Sequence, residues 1–344
     1  MSPRCFSRYR LSRYCSLPNA GYVLCATLGL GVMQPAQSDV VNLSWDNDLL
    51  TGSDRGYTNG LRLSYLTARA EAPEGQRSTL ARSLRDRLQW LPGIGAAGTQ
   101  HALATSLRQM MLTPENIATS EPQYDDLPYA GFLGLETTLW SWNRERITGY
   151  GIGAGVVGPG SGAEQAQKWV HKITGSTQPR GWDNQLGSNL LVGVHAYHGR
   201  TLFRSGGQVE NEMAWVVGTE LSGFRTNGTA ALIWRMGRHL PVNFIPDYSG
   251  ASPSIGLPGA LDMAGSGWSA FIGIGVEYVP YSYLDHEDGP YDLEQAPWVG
   301  QAGVGVDWHS PGFQISLIVR ANTGEEDTHK EAFSYGSVAV TWRL

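Results

Sequence analysis

The sequence predicts an all-β protein: a twelve-stranded antiparallel transmembrane β-barrel with a short extracellular amphipathic helix near residues 162–174. Apolar and polar residues alternate with a period of two through most of the chain, as expected of strands with one face in lipid and the other in a polar lumen. The composition agrees, because only 16% of the 344 residues are charged, while Gly, Trp and Tyr number 44, 12 and 15. Abundant aromatic residues are typical of the belts at the two membrane interfaces.

The strands can be placed by this alternation, which is clearest at the carboxyl terminus. Val338, Val340 and Trp342 share one face there, and Ser337 and Thr341 share the other. Twelve comparable segments occur, at about 40–48, 57–67, 101–111, 129–141, 147–157, 187–200, 207–221, 229–238, 268–279, 299–309, 312–321 and 334–343. An even number suits a closed antiparallel barrel. The alternative is a soluble β-sandwich or lipocalin-like barrel, but soluble strands seldom place Trp and Tyr so regularly on the apolar face.

Residues 1–38 have the features of a secretion signal, which leaves residues 39–344 for the barrel. Four arginines precede the apolar stretch 21–33, which is too short to span a bilayer, and small residues follow it. All three cysteines lie in this segment, so we expect no disulfide or thiolate chemistry in the mature chain. The net charge of −6 makes nucleic acid an unexpected partner. We expect a monomer in an outer membrane.

The barrel fixes which connections lie outside the cell. With a periplasmic amino terminus, the outer connections are 48–57, 112–128, 158–186, 222–228, 280–298 and 322–333. Two inner connections are longer than the short periplasmic turns expected of such barrels. One is 68–100, with a predicted helix over 77–90, and the other is 239–267, which is rich in Gly and Pro.

The first outer connection carries a cluster of oxygen-bearing side chains. Counting the alternation along strands 1 and 2 predicts that Asp48 and Thr58 face each other inside the outer mouth, with Asn47 adjacent. Carboxylate, amide and hydroxyl oxygens are ligands that Ca²⁺ prefers. Asx-turns at the tip of a loop are an equally compatible interpretation of this spacing.

The connection 158–186 contains the predicted extracellular helix. Ser161 is a candidate N-cap, and Gly175 is a candidate terminator. An apolar stripe is formed by Ala166, Val170 and Ile173, with Trp169 on its flank. We expect such a helix to lie against the barrel wall or the lipid surface.

Gln167 and His171 share another face of this helix, because they are four residues apart. A histidine on a surface helix is usually only solvated. Here, however, the histidine has an amide partner and lies on the same rim as the oxygen cluster. His171 is therefore the candidate general base, since a histidine with its ordinary pKa of about 6.5 can accept a proton from water at neutral pH.

Five blocks of the chain resemble the LpxR-type lipid A 3′-O-deacylases of Gram-negative outer membranes, and they occur in order between residues 45 and 185. The blocks are Trp45-Asp-Asn-Asp48, Arg55-Gly-Tyr-Thr-Asn-Gly-Leu61, Asp126-Leu-Pro-Tyr-Ala-Gly-Phe132, Gln167-x-x-x-His171 with Gly175, and Gly181-Trp-Asp-Asn-Gln185. Each block alone is a weak signal, but their order and spacing together are fairly specific.

The resemblance implies a Ca²⁺-dependent esterase site at the outer-leaflet end of the barrel, acting on lipid A of lipopolysaccharide. Asn47 and Asp48 would hold the cation, although ligand type alone does not exclude another hard divalent ion. His171 would be the base that activates water, while Thr58 and Gln167 would orient the water or the ester. The bound cation would stabilise the oxyanion of the transition state.

Two parts of the family pattern are missing from this chain. The characterised type carries a Glu and a Tyr shortly after the helix His, where this chain has Thr177 and Pro179. It also carries a basic pair after strand 3, whereas residues 110–116 contain no Lys or Arg. The resemblance therefore leaves the exact lipid substrate open.

Two other functions are compatible with the sequence. One is a passive porin or structural outer-membrane barrel whose acidic rim binds the cations that bridge lipopolysaccharide. The other is a Ser-dependent outer-membrane phospholipase, for which Ser53 and Ser176 are the nearest nucleophiles in sequence.

Overall fold

The structure is a computed structural model that describes residues 39–47, 56–242, 256–263, 265–286, 291, 293–324 and 332–344, with only the backbone described at residues 56–59, 286 and 333. Its strands are β1 (Val40–Asn47), β2 (Gly56–Leu66), β3 (Gln100–Thr113), β4 (Ala130–Trp142), β5 (Arg146–Val157), β6 (Asn189–Ser205), β7 (Glu210–Ser222), β8 (Arg225–Arg238), β9 (Gly267–Ser282), β10 (Trp298–Ser310), β11 (Phe313–Asn322) and β12 (Phe333–Arg343). The helices are α1 (Thr79–Leu88), α2 (Ala163–Thr174) and α3 (Tyr283–His286). Three 3₁₀ helices span Pro159–Ser161, Trp182–Asn184 and Leu257–Asp262.

The strands form one closed antiparallel barrel in which each strand pairs with its neighbours in sequence and β12 closes the ring on β1. Val40 pairs with Arg343 at the start of β1, so the barrel begins and finishes at one end, which we call the inner end. The opposite end, which carries α2, is the outer end. The predicted twelve-stranded barrel and its extracellular helix are thus confirmed.

Side chains alternate between the lumen and the outer face of the barrel, as the sequence predicts. Charged groups that face the lumen are paired, because an unpaired buried charge is costly. Arg108 Nη2 lies 3.3 Å from Glu136 Oε1, and Ser337 Oγ donates a 2.6 Å hydrogen bond to Asp46 Oδ1. The outer face carries exposed apolar side chains such as Leu61, Leu63, Leu135, Ile152, Val192, Val304 and Leu317.

The connection 239–267 is long because part of it closes the lumen at the inner end. Its 3₁₀ helix, Leu257–Asp262, packs against inward-facing apolar residues that include Trp140 and Trp142. Trp142 Nε1 donates a 2.8 Å hydrogen bond to Asp262 Oδ2, and Arg343 Nη2 donates to the Ala260 carbonyl oxygen at 2.9 Å. We call the 3₁₀ helix Leu257–Asp262 the plug. It explains why this inner connection is longer than the short periplasmic turns expected of such barrels.

The connection 68–100 is long because it carries α1, which packs on the outer face of β3 and β4. Ser78 caps the helix by accepting a 3.1 Å hydrogen bond from Ala81 N. Ala81 is buried in a cluster with Leu103 and Leu139, which belong to the outward-facing rows of their strands. The predicted helix over 77–90 is therefore present, and it is two residues shorter at each end.

Across the described part of the chain, no helix combines the length and the apolar character needed to cross a bilayer.

Glu71 anchors the connection 68–100 to the start of β3. Its carboxylate accepts hydrogen bonds from the backbone N–H of His101 at 2.8 Å and from Arg85 Nη1 at 2.9 Å, and it lies 2.8 Å from His101 Nδ1. Burial alone would raise the pKa of Glu71, but the hydrogen bonds from His101 and Arg85 outweigh burial and lower it.

This lowered pKa predicts a pH-dependent contribution to stability. A carboxyl group with a lower pKa in the folded than in the unfolded state stabilises the fold above its unfolded pKa of about 4.3, and that stability is lost as pH falls through the folded pKa. We therefore expect Glu71→Gln to lower the thermal unfolding temperature at pH 7, and the difference from the unmodified chain to shrink below about pH 4. Exposed Glu74 is the matched control; an equal effect of Glu74→Gln would contradict this role of Glu71.

Candidate active site

A row of paired positions on the outer face joins the end of β1 to the start of β4. Asn47 pairs with Asn59, Asn59 with Met111, and Met111 with Gly131. Asn47 belongs to the face that exposes Trp45, because Asp46 between them points into the lumen. The row therefore runs over the side of the wall that faces lipid.

Gly131 is the point at which the wall receives the extracellular connection. A Cβ at this position would lie 2.1 Å from Ser161 Oγ and 2.4 Å from Ala163 Cβ, so no larger residue fits without displacing them. Two further hydrogen bonds hold the connection to the wall here. Gly158 N donates to the Gly131 carbonyl oxygen at 2.9 Å, and Gln109 Nε2 donates to the Ser161 carbonyl oxygen at 2.8 Å.

From this point α2 crosses the wall in the direction of β1. The 3₁₀ helix Pro159–Ser161 contacts β5 and β4, and α2 contacts β4 and β3. At a rise of 1.5 Å per residue, His171 is about 12 Å along the helix from Ala163. The three strand spacings from Gly131 to Asn47 amount to about 14 Å. The helix is therefore long enough to bring His171 above the first two strands.

Both ends of α2 are set by glycines in the left-handed conformation. Gly162 is the N-cap, with φ of 69°, and Gly175 follows the helix with φ of 75° and donates its N–H to the His171 carbonyl oxygen. The predicted terminator is thus confirmed. The N-cap prediction is wrong by one residue, because Ser161 lies in the preceding 3₁₀ helix; its Oγ nevertheless accepts a 3.3 Å hydrogen bond from Ala163 N.

The apolar stripe of α2 is divided between the two surroundings expected for it, because Ala166 packs partly against the wall while the far end of the stripe is exposed. The buried residues of the helix are Ala163 and Gln167, whereas Ile173 is 64% exposed and its neighbour Trp169 is 65% exposed. The small side chain of Ala163 allows the close approach at Gly131, which selects this face. Gln167 is consequently packed between the helix and the wall, whereas Trp169 and Ile173 are exposed on the side of the helix away from the wall.

Gln167 is held in one orientation by Trp182. The Trp182 indole Nε1–H, which can only donate, gives a 2.7 Å hydrogen bond to Gln167 Oε1. The amide Nε2 must then point the other way. Gln167 is only 3% exposed, and its Nε2 has no hydrogen-bond partner within the described residues. A buried amide donor without a partner is costly, so it indicates a place for a water or ligand oxygen.

His171 is half-buried one turn after Gln167, and its ring is oriented by the backbone. His171 Nδ1 lies 2.6 Å from the carbonyl oxygen of Thr177. A carbonyl only accepts, so Nδ1 carries the proton, and Nε2 of the neutral ring keeps a lone pair. This is the tautomer that a general base requires. Thr177 thus orients the histidine through its main chain and not through its side chain.

A shell of aromatic and backbone contacts supports Trp182. The Tyr129 ring lies 5.0 Å from the Trp182 ring, and a Cβ at Gly181 would lie 2.3 Å from Tyr129. Tyr129 Oη donates to the Ile117 carbonyl oxygen at 3.3 Å, and burial raises the pKa of the Tyr129 phenol, which therefore stays neutral. The Asp126–Phe132 and Gly181–Gln185 blocks thus build the support for Gln167.

Of the two other predicted site residues, the structure describes the backbone of Thr58 and no part of Asp48. Asp48 lies outside the described residues, so its predicted inward direction stays a prediction. Thr58 lies in β2, where the register shifts between Tyr57 and Asn59, so the alternation used to orient Thr58 is interrupted there. Within the part of the chain that the structure describes, no cluster of three or more His, Cys, Asp or Glu residues forms a metal site.

Of the two serines considered as nucleophiles, Ser53 lies outside the described residues. Ser176 is exposed, and its Oγ lies 2.7 Å from Thr174 Oγ1. Among the described contacts, none joins the Ser176 hydroxyl to a histidine ring or an acid, and only the backbone N–H of Ser176 contacts His171, by donating to its carbonyl oxygen at 3.0 Å.

The roles of Trp182, Gly131 and the Thr177 carbonyl were not recognised from the sequence, although the first two lie in the quoted blocks. A glycine inside a strand signals close backbone approach, so Gly131 could have been found. The Thr177 carbonyl could not, because its role depends on the path of the chain after α2 and not on its side chain.

Comparison with known proteins identifies the family. The family model described as "Outer membrane protein LpxR" matches residues 22–344. LpxR from Salmonella typhimurium superposes with a TM-score of 0.70 at 18% identity, covering 89% of this chain and 100% of that one. The β domain of the Bordetella autotransporter BrkA gives 0.42 at 11% identity, covering 90% and 100%. No curated protein sequence matches significantly. On the strength of the family match, this chain belongs to the LpxR family of outer membrane proteins.

Proposed function

We propose that the chain is a lipid A deacylase that hydrolyses the ester of a 3′-O-linked acyloxyacyl group with the help of Ca²⁺. The observation that carries the proposal is the pair formed by Gln167, which is buried against the wall, and half-buried His171 one turn later on α2. Gln167 presents a buried amide donor that has no partner among the described residues, and His171 presents a ring nitrogen with a free lone pair. A water molecule held beside both groups could give a proton to His171 Nε2.

The end of β1 offers suitable ligands for the cation. Asn47, on the outer face at the end of the cross-strand row, supplies an amide oxygen, and Asp48 follows it directly in the chain. Asp46 is excluded as a ligand on this face, because it points into the lumen toward Ser337 and Arg320. Amide and carboxylate oxygens fit Ca²⁺. When bound, the ion would polarise the ester carbonyl and stabilise the oxyanion.

The proton steps follow from the geometry of His171. Its Nε2 removes a proton from water while the water oxygen attacks the carbonyl carbon of the ester. When the tetrahedral intermediate collapses, the bond from that carbon to the sugar oxygen breaks, and the proton on Nε2 passes to the departing sugar oxygen. The products are the free acyloxyacyl acid and a 3′-hydroxyl. The Thr177 carbonyl keeps Nδ1 protonated throughout.

Gln167 and Thr58 would orient the reactants. Trp182 fixes the Gln167 amide so that Nε2–H can donate to the water or to the developing oxyanion. Thr58 is near the same row because its neighbour Asn59 pairs with Asn47. A hydroxyl there could hold the water or the ester oxygen.

The position on the outer face suits a substrate that never leaves the membrane. Lipid A forms the outer leaflet, level with the outer end of the barrel. The exposed Trp169 and Ile173 of α2 can contact lipid chains, while the other face of the helix covers the site. The acyl ester can thus reach the site sideways from the leaflet.

The rival functions receive less support. A porin needs an open lumen, but the plug Leu257–Asp262 and its apolar cluster fill the inner end. A Ser-dependent phospholipase needs a base beside the nucleophile, and exposed Ser176 contacts Thr174 instead.

Acyl release from lipid A is the experiment that tests the proposal. The purified chain is incubated with hexa-acyl lipid A and Ca²⁺, and the products are followed by mass spectrometry. We expect loss of one acyloxyacyl group, its abolition by EDTA, and its return when Ca²⁺ is added in excess. Activity that persists in EDTA would contradict the cation-dependent mechanism.

Two parallel measurements address the rivals. Sustained conductance across a planar bilayer without acyl release would favour a porin. Covalent labelling of Ser53 or Ser176 by a serine-reactive phosphonate, with loss of acyl release, would favour a Ser nucleophile.

A further inference from the structure

Helix α1 lies on the same outer face of the wall as α2, at the opposite end of the barrel. Leu103 of β3 and Leu139 of β4, which are buried beneath α1, belong to the outward-facing rows of their strands. Tyr150 of β5 also faces outward, and its hydroxyl donates a 3.0 Å hydrogen bond to the Pro92 carbonyl oxygen. The connection after α1 is therefore held to the lipid-facing side of the barrel as well.

The separation of the two helices matches the thickness of a membrane. On β4, Gly131 lies under the start of α2, and Leu139 lies under α1, eight residues further along. Eight residues extend about 27 Å along a strand, or about 20 Å along the normal at the usual tilt of 35–45°. The apolar band of an outer-membrane barrel is about 25 Å tall. Helix α1 therefore lies at the membrane interface of the inner leaflet.

The exposed side of α1 and its flanks has the composition of a membrane-surface segment. Residues 77–90 contain four arginines and one acid, Asp86, in a chain whose net charge is −6. Trp90, directly after the helix, is 74% exposed, and Leu80 is 47% exposed. Exposed Trp and Leu beside arginines are characteristic of helices that lie in the interface of anionic membranes.

The arginines divide into two groups by their contacts. Arg85 binds Glu71 and Asp86, and Arg77 binds Glu74. Arg82 and Arg87 have no ion-pair partner among the described residues. Leu80, Leu84 and Arg87 follow one another at four and three residues, so they form one stripe along a flank of the helix.

This stripe is turned toward the apolar band. Arg85, on the other flank, reaches Glu71, which is bonded to His101 near the inner end of β3. Leu84 packs with the cluster of Leu103 and Leu139, which lie deeper along the strands. Beyond Leu84, the long side chain of Arg87 can lay its methylenes along lipid while its guanidinium stays at the level of the headgroups.

We propose that α1 and Trp90 form a binding site for anionic phospholipid in the inner leaflet of the outer membrane, with the headgroup phosphate held by Arg87 on the lipid-facing flank. Three observations support a lipid as the occupant. The surface is continuous with the lipid-facing wall, its free charge is positive, and its exposed apolar groups are those of an interfacial anchor. This site is independent of the reaction proposed for α2.

The test places a fluorescent label on the proposed lipid-facing flank. Ser83, between Leu80 and Arg87 on the helix surface, is changed to cysteine and labelled with NBD, with Cys5, Cys15 and Cys25 replaced by serine if present. The protein is reconstituted in phosphatidylcholine vesicles that contain equal fractions of brominated phosphatidylglycerol or brominated phosphatidylcholine. We expect quenching at least about twofold stronger with the brominated phosphatidylglycerol.

The variants separate charge recognition from simple contact with lipid. Arg87→Gln should bring quenching by the anionic lipid down to the level of the neutral lipid. Arg144→Gln removes an exposed charge from the β4–β5 turn at the same end and should leave the ratio unchanged. Equal quenching by both lipids in the unmodified helix would overturn the proposal, as would a label that neither lipid quenches. Heat-modifiable mobility on a gel confirms that each variant is folded.

Discussion

Changing His171 to glutamine is expected to lower the rate of acyl release from lipid A by about a thousandfold, within the range of 10²–10⁴ that a general base contributes. Glutamine can still donate a hydrogen bond toward the Thr177 carbonyl, so the end of α2 keeps a polar anchor there. Its amide has no lone pair basic enough to remove a proton from water. The effect should therefore fall on kcat, while KM stays nearly constant.

The measurement is the initial rate of acyl release under saturating Ca²⁺, followed by mass spectrometry. Lys172→Gln is the matched control, because Lys172 is the next residue on the helix and is exposed. It should retain the rate of the unmodified chain. If His171→Gln keeps full activity, the base has been assigned to the wrong residue.

Changing Gly131 to valine is expected to reduce acyl release at least about a hundredfold without unfolding the barrel. A Cβ alone would meet Ser161 Oγ at 2.1 Å and Ala163 Cβ at 2.4 Å, so valine forces the start of α2 away from the wall. Gln167 and His171 move with the helix, and a displacement of about 1 Å is enough to disrupt catalytic geometry. The strand itself should tolerate valine, because β-branched residues favour extended backbone.

Two readouts separate displacement of the helix from loss of the barrel. Trypsin should cut faster after Lys168 and Lys172 in the variant, while heat-modifiable mobility on a gel stays that of a folded barrel. Gly187→Val is the control in the same connection, since a Cβ there would meet nothing within 4 Å. Full activity in Gly131→Val would show that contact between α2 and the wall is not required.

The fold could be predicted almost completely, because alternation is a local property of the chain. The segment 312–321, for example, was found within one residue of β11, since each lipid-facing residue there is apolar and most lumen-facing residues are polar. The plug at Leu257–Asp262 was not predicted. Its apolar residues carry no strand period, and their burial depends on the arrangement of the whole lumen.

The site could be predicted only in part, because its contacts are tertiary. The spacing placed Gln167 and His171 on one face of α2, and their joint role stays a prediction; it left open whether the apolar stripe contacts the wall or the lipid. Hydrophobicity favours Ile173 for burial, whereas the small side chains at Gly131 and Ala163 decide which face can approach. Counting residues along β2 could not orient Thr58, because a single-sequence pattern does not reveal the bulge beside it.

We expect the cation half of the site, at Asn47 and Asp48, to meet the proton half, at Gln167 and His171, at the outer rim of the barrel. Paramagnetic Mn²⁺, a hard cation that can substitute for Ca²⁺ at oxygen ligands, tests this proximity directly. The imidazole signals of the histidine-labelled protein are recorded by NMR, and the His171 signal is assigned by its loss in His171→Gln. We expect Mn²⁺ to broaden the His171 signal selectively, excess Ca²⁺ to reverse the broadening, and Asp48→Asn to abolish it. A sharp His171 signal in the presence of bound Mn²⁺ would show that the two halves of the site do not meet.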